Sequence, residues 1–192
     1  MTAFTQIAKP HEDVLKERPA MDVFAADLWQ VFIGKAPLDY QDKDVFFSKT
    51  YLTKGLKYIL SVARKRLEGK TGDSVIQLQT PFGGGKTHAL IALYHKATEW
   101  NAKVVVFDGT ALHPEKSNKP WEELEKQLTG KIEKTKGEVS PGKETLIELL
   151  SENSPVLILM DEILEYSTRA AGVRIGDTNL AAQTLAFLQE LT

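Results

Sequence analysis

Eight consecutive residues near the middle of the chain have the composition of a phosphate-binding loop. Residues 80–87 read Thr-Pro-Phe-Gly-Gly-Gly-Lys-Thr, so three glycines precede a lysine and a hydroxyl side chain. Glycine allows backbone N–H groups to close around phosphate oxygens, because it has no side chain and tolerates left-handed dihedrals. The string departs from the pattern G-x-x-x-x-G-K-[ST] only at its first position, which is Thr80. The spacing therefore predicts a nucleotide-phosphate site of the Walker A type.

The residues of this loop have separate expected roles. Lys86 is expected to bridge the β- and γ-phosphates of ATP, and the Thr87 hydroxyl is expected to coordinate Mg²⁺. His88 follows directly and could reach a phosphate, although a packed or solvated histidine on the first helical turn explains it better. The predicted nucleotide contacts are Thr80, Pro81, Phe82, Gly83, Gly84, Gly85, Lys86, Thr87 and His88.

A second candidate motif ends a strongly apolar run. Residues 156–160 are Val-Leu-Ile-Leu-Met, and Asp161 and Glu162 follow. An aspartate at the end of a buried strand can hold the Mg²⁺ shell, and the next carboxylate can orient and deprotonate the attacking water. We therefore expect a Walker B motif at residues 156–162, with Asp161 as a metal ligand and Glu162 as the catalytic base. Glu162 also favours hydrolysis over phosphoryl transfer to a metabolite, since small-molecule P-loop kinases do not need it.

The hydrophobic pattern predicts the elements that must position these motifs. Residues 74–80, 103–107 and 156–160 have the character of strands, and the last two lack alternation, as parallel strands covered on both faces do. Helical spacing predicts helices near residues 21–33, 52–67, 86–100, 121–128, 144–150 and 179–191. Strands that alternate with helices indicate an α/β fold, with a parallel sheet flanked by helices. We expect a helical N-terminal segment at residues 1–73, followed by a P-loop NTPase core of about three strands at residues 74–192.

Composition limits the remaining possibilities. The 192 residues are 42% hydrophobic with a net charge of -2, so one sizeable core is expected, and nucleic-acid contact would need a local basic patch. The absence of cysteine excludes disulfides and thiolate metal sites, and it suits a reducing cytoplasm. No apolar stretch has the length of a signal peptide or a membrane span, so a cytoplasmic location without a membrane partner is expected.

Other polar residues have simpler explanations than chemistry. Asp108, Gly109 and Thr110 follow a strand and could lie near a γ-phosphate, but a turn is the better explanation. Arg169 and Arg174 fall in a polar loop, where action as arginine fingers across a subunit boundary is the weaker alternative. Two charged stretches are interpreted as solvated surface: the basic helix face of Lys54, Lys57, Arg64 and Lys65, and a mobile loop at residues 131–143.

The extended string of residues 79–95 is similar to the large prokaryotic AAA+-like ATPases grouped as the DUF499 family, and shorter matches lie at residues 24–28, 50–53, 155–162 and 187–192. The resemblance implies an ATPase of the additional-strand, catalytic-glutamate branch, with five strands in the order 5-1-4-3-2. Members are often encoded beside DNA methyltransferases and helicases in phage-defence or restriction-like loci. Nucleic acid or such an enzyme is therefore an implied partner, and a homo-oligomer is implied for the full-length protein.

The same resemblance raises an expectation about completeness. Only three of the family's five strands are predicted, and the chain ends at Thr192, after the helix that should lead into the missing strand. We therefore expect an N-terminal fragment, with the sensor, the arginine finger and any partner-binding domain beyond it. Two alternatives to an ATPase stay open from the residues themselves: a nucleotide-binding regulatory module without appreciable turnover, and a small-molecule P-loop kinase.

Overall fold

A computed structural model describes residues 26–81, 83–116 and 118–192. The architecture is mixed α/β, with helices around a two-stranded parallel sheet. The helices are α1 (Leu28–Phe32), α2 (Leu38–Gln41), α3 (Lys43–Lys49), α4 (Lys54–Leu67), α5 (Lys86–Glu99), α6 (Pro120–Thr129), α7 (Lys143–Asn153), α8 (Ile163–Ala170) and α9 (Leu180–Leu191). The strands are β1 (Lys103–Asp108), β2 (Val156–Asp161), β3 (Arg174–Ile175) and β4 (Thr178–Asn179). Within the described ranges, none of these helices has the length and apolar character needed to cross a bilayer.

The parallel pair of β1 and β2 forms the centre of the fold. Their register runs from Lys103 opposite Val156 to Asp108 opposite Asp161. Successive side chains of a strand point to opposite faces of the sheet. Val105 and Phe107 accordingly join one hydrophobic cluster, whereas Val106 joins another. Both faces are therefore covered, as the unbroken apolar runs predicted, and the two strands end side by side in aspartates.

The two clusters are built from different parts of the chain. One contains buried side chains of α6 to α9, among them Trp121, Tyr166 and Phe187. The other joins α1, α3 and α4 to α5, through side chains that include Leu28, Phe46 and Ile91. Burial of such large apolar side chains is the main favourable contribution to folding. The helices before residue 74 thus pack directly on α5 and on the sheet.

Most predicted helices are found within a few residues of their expected bounds. The predicted helix at 52–67 is α4, which begins later because the Thr53 hydroxyl accepts a hydrogen bond from Leu56 N and so marks the N-terminus. The predicted helix at 21–33 is seen as α1, since residues 21–25 lie outside the described part of the chain. The helix ends at Phe32, and Gly34, two residues later, has a left-handed φ of 74°. The short helices α2 and α3 were not predicted.

The predicted strand at residues 74–80 is wrong. Residues 75–80 have no strand assignment, and the strand pairs of the described residues are β1 with β2 and β3 with β4. Val75 and Ile76 are 51% and 41% exposed, and Leu78 packs against the cluster around α5. A strand exists only through hydrogen bonds to a neighbour, which an apolar run by itself does not supply. The sheet that carries the aspartates therefore has two strands rather than three.

Two polar segments also differ from expectation. Residues 131–142 contain no helix or strand, as predicted, and Lys143 already begins α7. The segment is anchored rather than fully solvated, because Thr135 is 3% exposed. The buried Glu125 carboxylate accepts hydrogen bonds from Lys134 N, Thr135 N and Thr135 Oγ1 at 2.7 to 2.9 Å. The polar loop expected after Glu162 is instead α8 and the β3–β4 hairpin, with Arg169 on the helix and Arg174 in β3.

Candidate phosphate-binding site

The three glycines before α5 form a turn that other residues would not fit. Gly83 and Gly85 have φ of 73° and 78°, in the left-handed region. Gly84 has ordinary dihedrals but a close approach: a Cβ there would lie 2.6 Å from Thr80 Cβ and 2.9 Å from the Pro81 carbonyl oxygen. Gly84 N donates to that same oxygen at 3.0 Å. The predicted contact at Phe82 lies outside the described residues.

The N-terminus of α5 opens directly from this turn. Its N-cap is Gly85, no side chain of the described residues caps it, and its first turn carries no acidic residue. The first N–H groups of a helix have no partner within the helix, and the helix dipole favours negative charge at this end. Such an end is suited to an anion such as a phosphate.

Lys86 and Thr80 hold the two ends of the turn together. Lys86 Nζ donates to the Thr80 carbonyl oxygen at 3.3 Å. No carboxylate pairs with Lys86 among the residues the structure describes. A lysine held only by one long hydrogen bond keeps donors available for an anion on the turn.

Thr87 and Asp161 join the glycine-rich turn to the parallel sheet. Thr87 Oγ1, on the first turn of α5, donates to Asp161 Oδ2 at 2.7 Å, although the two residues are 74 positions apart. The other carboxylate oxygen of Asp161 accepts from Glu162 N at 3.1 Å. Asp161 is 9% exposed, so its carboxylate is held in one orientation. The structure thus brings together the two residues that the sequence predicts as Mg²⁺ ligands.

The chemistry of this pair suits a cation that shares its ligands with other oxygens. Mg²⁺ binds oxygen atoms, commonly one or two carboxylates together with phosphates and water. No group of three or more histidine, cysteine, aspartate or glutamate side chains able to hold a metal ion occurs in the described ranges. A hydroxyl and one carboxylate could therefore contribute to a Mg²⁺ shell that phosphate and water oxygens complete.

Glu162 occupies an unusual backbone position at the end of β2. Its φ and ψ are 47° and 30°, which are left-handed values that a residue with a side chain rarely adopts. It precedes α8 as the N-cap, and its side chain is exposed. Left-handed backbone of this kind costs of order 1–3 kcal/mol and is frequent at functional sites. The exposed Glu162 side chain thus follows directly after Asp161, where the chain leaves β2.

The turn after β1 packs tightly against the same edge. Asp108 Oδ1 accepts hydrogen bonds from Thr110 N, Thr110 Oγ1 and Ala111 N, so residues 108–110 form a turn, as predicted. Gly109 N donates to Asp161 O at 2.9 Å. The Arg169 guanidinium donates to the Gly109 carbonyl oxygen. Sequence reasoning missed this positioning contact of Arg169, because nothing local to the arginine indicates a partner sixty residues earlier.

His88 is packed rather than directed at the turn. Its ring lies 4.6 Å from the Phe46 ring, and its Nε2 is 2.9 Å from Thr50 Oγ1. The Thr50 hydroxyl donates to Phe46 O, so His88 Nε2 must be the donor to Thr50. Burial lowers the pKa of His88 below its ordinary value. The histidine is therefore packed against the N-terminal helices, in line with the packed interpretation of the sequence.

The first half of the chain matches the model of a protein family. The family model described as the DUF499 N-terminal domain matches residues 3–106. This range includes the glycine-rich turn and most of β1, whereas β2, Asp161 and Glu162 lie beyond it. No curated protein and no solved structure matches the chain. Because the match covers more than half of the 192 residues, the chain belongs to the DUF499 family.

Proposed function

We propose that this chain binds ATP with Mg²⁺ on the turn before α5 and hydrolyses it. The observation that supports this best is the 2.7 Å hydrogen bond from Thr87 Oγ1 to Asp161 Oδ2. It joins a glycine-rich turn and an acidic strand end, each of which was singled out independently by its residue types. A chance Gly-Lys-Thr turn would have no reason to meet an aspartate 74 positions later.

The triphosphate would lie across the glycine-rich turn and the helix end. Backbone N–H groups of the turn and of α5 supply donors, and Lys86 supplies the positive charge. Lys86 would exchange its hydrogen bond to the Thr80 carbonyl oxygen for the β- and γ-phosphate oxygens. In this proposal the turn is a preformed P-loop, and the fold around it is a P-loop NTPase core.

Thr87 and Asp161 would then share the Mg²⁺ ion. The Thr87 hydroxyl oxygen would bind the metal directly, and the Asp161 carboxylate would bind it or a water of its shell. When bound there, Mg²⁺ would neutralise part of the charge that develops on the β- and γ-phosphate oxygens. Asp161 is already oriented by its hydrogen bonds to Thr87 and to Glu162 N.

Glu162 is our candidate for the general base. Its exposed carboxylate would take a proton from water while the water oxygen forms a bond to the γ-phosphorus and the bond to the β,γ-bridging oxygen breaks. The products are ADP and inorganic phosphate. The left-handed backbone at Glu162 supports this role, since it turns the residue out of the strand end immediately after Asp161.

A thermal-shift titration tests the phosphate site. ATP with Mg²⁺ at 100 times its Kd should add about 2.7 kcal/mol to the unfolding free energy, which for a domain of this size is a rise in Tm of about 5 to 11 °C. Lys86→Ala should abolish the rise. Asp161→Asn should keep the response to ATP in EDTA and lose the additional response to Mg²⁺.

The matched control is Lys57→Ala, which removes the same charge from an exposed position on α4. It should respond to ATP as the unsubstituted chain does. A rise in Tm that is equal in Lys86→Ala and Lys57→Ala would place the nucleotide elsewhere and contradict the proposal.

A further inference from the structure

A cavity opens beside the glycine-rich turn, on the side of the N-terminal helices. Its volume is about 300 Å³. Gly84, Gly85 and Lys86 form part of its wall. The first turns of α5 also contribute to the wall, through His88 and Ala89. The rest comes mainly from the segment before α4, from α4 itself and from the stretch that leads to the turn: Tyr51, Thr53, Gly55, Leu56, Ile59 and Leu78. The cavity is therefore continuous with the surface on which the phosphates are proposed to lie.

The wall of the cavity combines two kinds of chemistry. The glycine-rich turn contributes backbone groups and Lys86, whereas Leu56, Ile59 and Leu78 contribute apolar side chains. Tyr51 stands at the rim with 86% of its surface exposed, which is unusual for a large aromatic side chain. Small-molecule pockets of proteins occupy about 300–1,000 Å³. This cavity is at the lower limit, a size for one flat ring system with its sugar rather than for a larger ligand.

We propose that this cavity binds the base and ribose of an adenine nucleotide, with the Tyr51 ring against the face of the base. The inference rests on the proposed function, because the phosphates on the turn fix where the nucleoside must begin. It adds where the base and ribose of the nucleotide lie and which residues recognise them. An apolar wall is suited to the flat faces of a base, and an exposed aromatic ring offers a stacking surface.

The absence of acidic side chains from the wall distinguishes adenine from guanine. Guanine presents an N–H and an amino group side by side, and both need acceptors when they are buried. No aspartate or glutamate is among the described residues that line the cavity. The six-membered ring of adenine carries an amino group but no ring N–H, so adenine would leave fewer buried hydrogen-bond donors without an acceptor in this cavity. ATP should therefore bind at least 10-fold more tightly than GTP.

Gly55 allows the cavity to be filled without disturbing the fold. It lies in the first turn of α4, and a Cβ placed on it would meet only Thr53 Oγ1, at 3.9 Å. Leucine is a better helix former than glycine. Gly55→Leu should therefore fold normally while its side chain takes space from the nucleoside. Circular dichroism and Tm verify the fold before binding is measured.

The experiment compares two probes by isothermal titration calorimetry, with Mg²⁺ present: ATP and inorganic tripolyphosphate. Gly55→Leu should weaken ATP binding by at least 10-fold and leave tripolyphosphate binding within about 2-fold. Tyr51→Ala should weaken ATP binding by about 5- to 150-fold, the usual range for loss of a base-stacking ring. Tyr58→Ala is the matched control, because Tyr58 is a 69% exposed tyrosine of α4 outside the cavity wall, and it should change neither affinity.

The outcomes separate this inference from the proposed function. If both probes bind, Lys86→Ala weakens their binding and Gly55→Leu leaves ATP affinity unchanged, the phosphate site stands and the nucleoside site is overturned. Equal affinity for ATP and GTP would overturn the assignment of adenine. Failure of both probes to bind, or binding that Lys86→Ala does not affect, would overturn the phosphate site and the nucleoside site together.

Discussion

Replacement of Gly109 by alanine tests how closely the end of β1 packs against the start of α8. A Cβ on Gly109 would overlap the carbonyl oxygen of Glu162, and it would lie 2.5 Å from the Glu162 carbonyl carbon and 3.1 Å from Ile163 N. The neighbouring backbone cannot simply slide away, because Gly109 N is hydrogen-bonded to Asp161 O at 2.9 Å. The added methyl group must therefore displace the candidate base from the candidate metal ligand.

The size of the effect follows from these distances. Carbon atoms in contact prefer separations of about 3.5–4.0 Å, so relief of the 2.5 Å contact requires a shift of at least about 1 Å, and the carbonyl oxygen of Glu162 lies nearer still. Overpacking of a close-packed region typically costs about 1–3 kcal/mol. Gly109→Ala should lose that much in unfolding free energy by urea titration, with a fall in Tm of about 2–12 °C. If Glu162 is the base, turnover should fall further than stability predicts, because a misplacement of 1 Å can cost about 10²-fold in rate.

Gly172→Ala provides the matched control. A Cβ at Gly172 would meet only Arg169 O, at an ordinary 3.6 Å. Its unfolding free energy should stay within about 0.5 kcal/mol of the unsubstituted chain. Equal stability of Gly109→Ala and Gly172→Ala would refute the close packing of Gly109 against Glu162, and with it the reasoning that fixes the base beside Asp161.

Three further predictions concern single side chains. Glu162→Gln should keep ATP binding and lower the rate of phosphate release by roughly 10² to 10⁴-fold, the usual contribution of a positioned general base. Near-normal release by the variant would remove Glu162 from the mechanism. No release by either protein would favour a regulatory module. Glu125→Ala should lower the unfolding free energy by about 1–3 kcal/mol, because the amide and hydroxyl of the buried Thr135 lose their acceptor. The control Glu148→Ala, at an exposed position, should change the unfolding free energy by less than about 0.5 kcal/mol. Burial lowers the pKa of His95 below its ordinary 6.5, so the unfolded chain binds a proton there at a higher pH than the folded chain does. The free energy of unfolding should therefore fall as the pH is lowered below about 6.5. In urea titrations His95→Gln should lose less unfolding free energy between about pH 7 and pH 5 than the unsubstituted chain does. An equal loss would exclude His95 as the source of the pH dependence.

Local patterns predicted the parts of the fold that depend on local physics. The continuous apolar runs of β1 and β2 predicted strands buried on both faces, and the two strands pair in parallel as expected. One-sided apolar periodicity predicted α4 and α9, and a run that is apolar all round predicted α5 as a helix buried against the sheet. Helices α6 and α7 were also predicted. The proximity of Thr87 and Asp161 was also expected, since both residues were predicted to coordinate one Mg²⁺ ion.

Long-range pairing explains the predictions that were wrong. Residues 75–80 have the apolar character of a strand, but a strand also needs a partner edge, and the described residues provide none. Residues 131–143 look solvated by composition, yet the carboxylate of Glu125 organises them around the buried Thr135. Helix α8 was missed because a polar stretch can be helical when one face finds a cluster, as Tyr166 does.

The amino-acid sequence by itself determined which residues can do chemistry and which elements carry them. The three glycines, Lys86, Thr87 and the acidic pair at the end of β2 are evident from residue type and spacing. Only the tertiary structure decided how these elements meet: that Thr87 bonds Asp161, that Glu162 is turned into left-handed backbone, and that a cavity opens between α4 and the turn. The physical reason is that backbone propensity and amphipathicity act over a few residues, whereas contacts between distant segments depend on the packing of the whole chain.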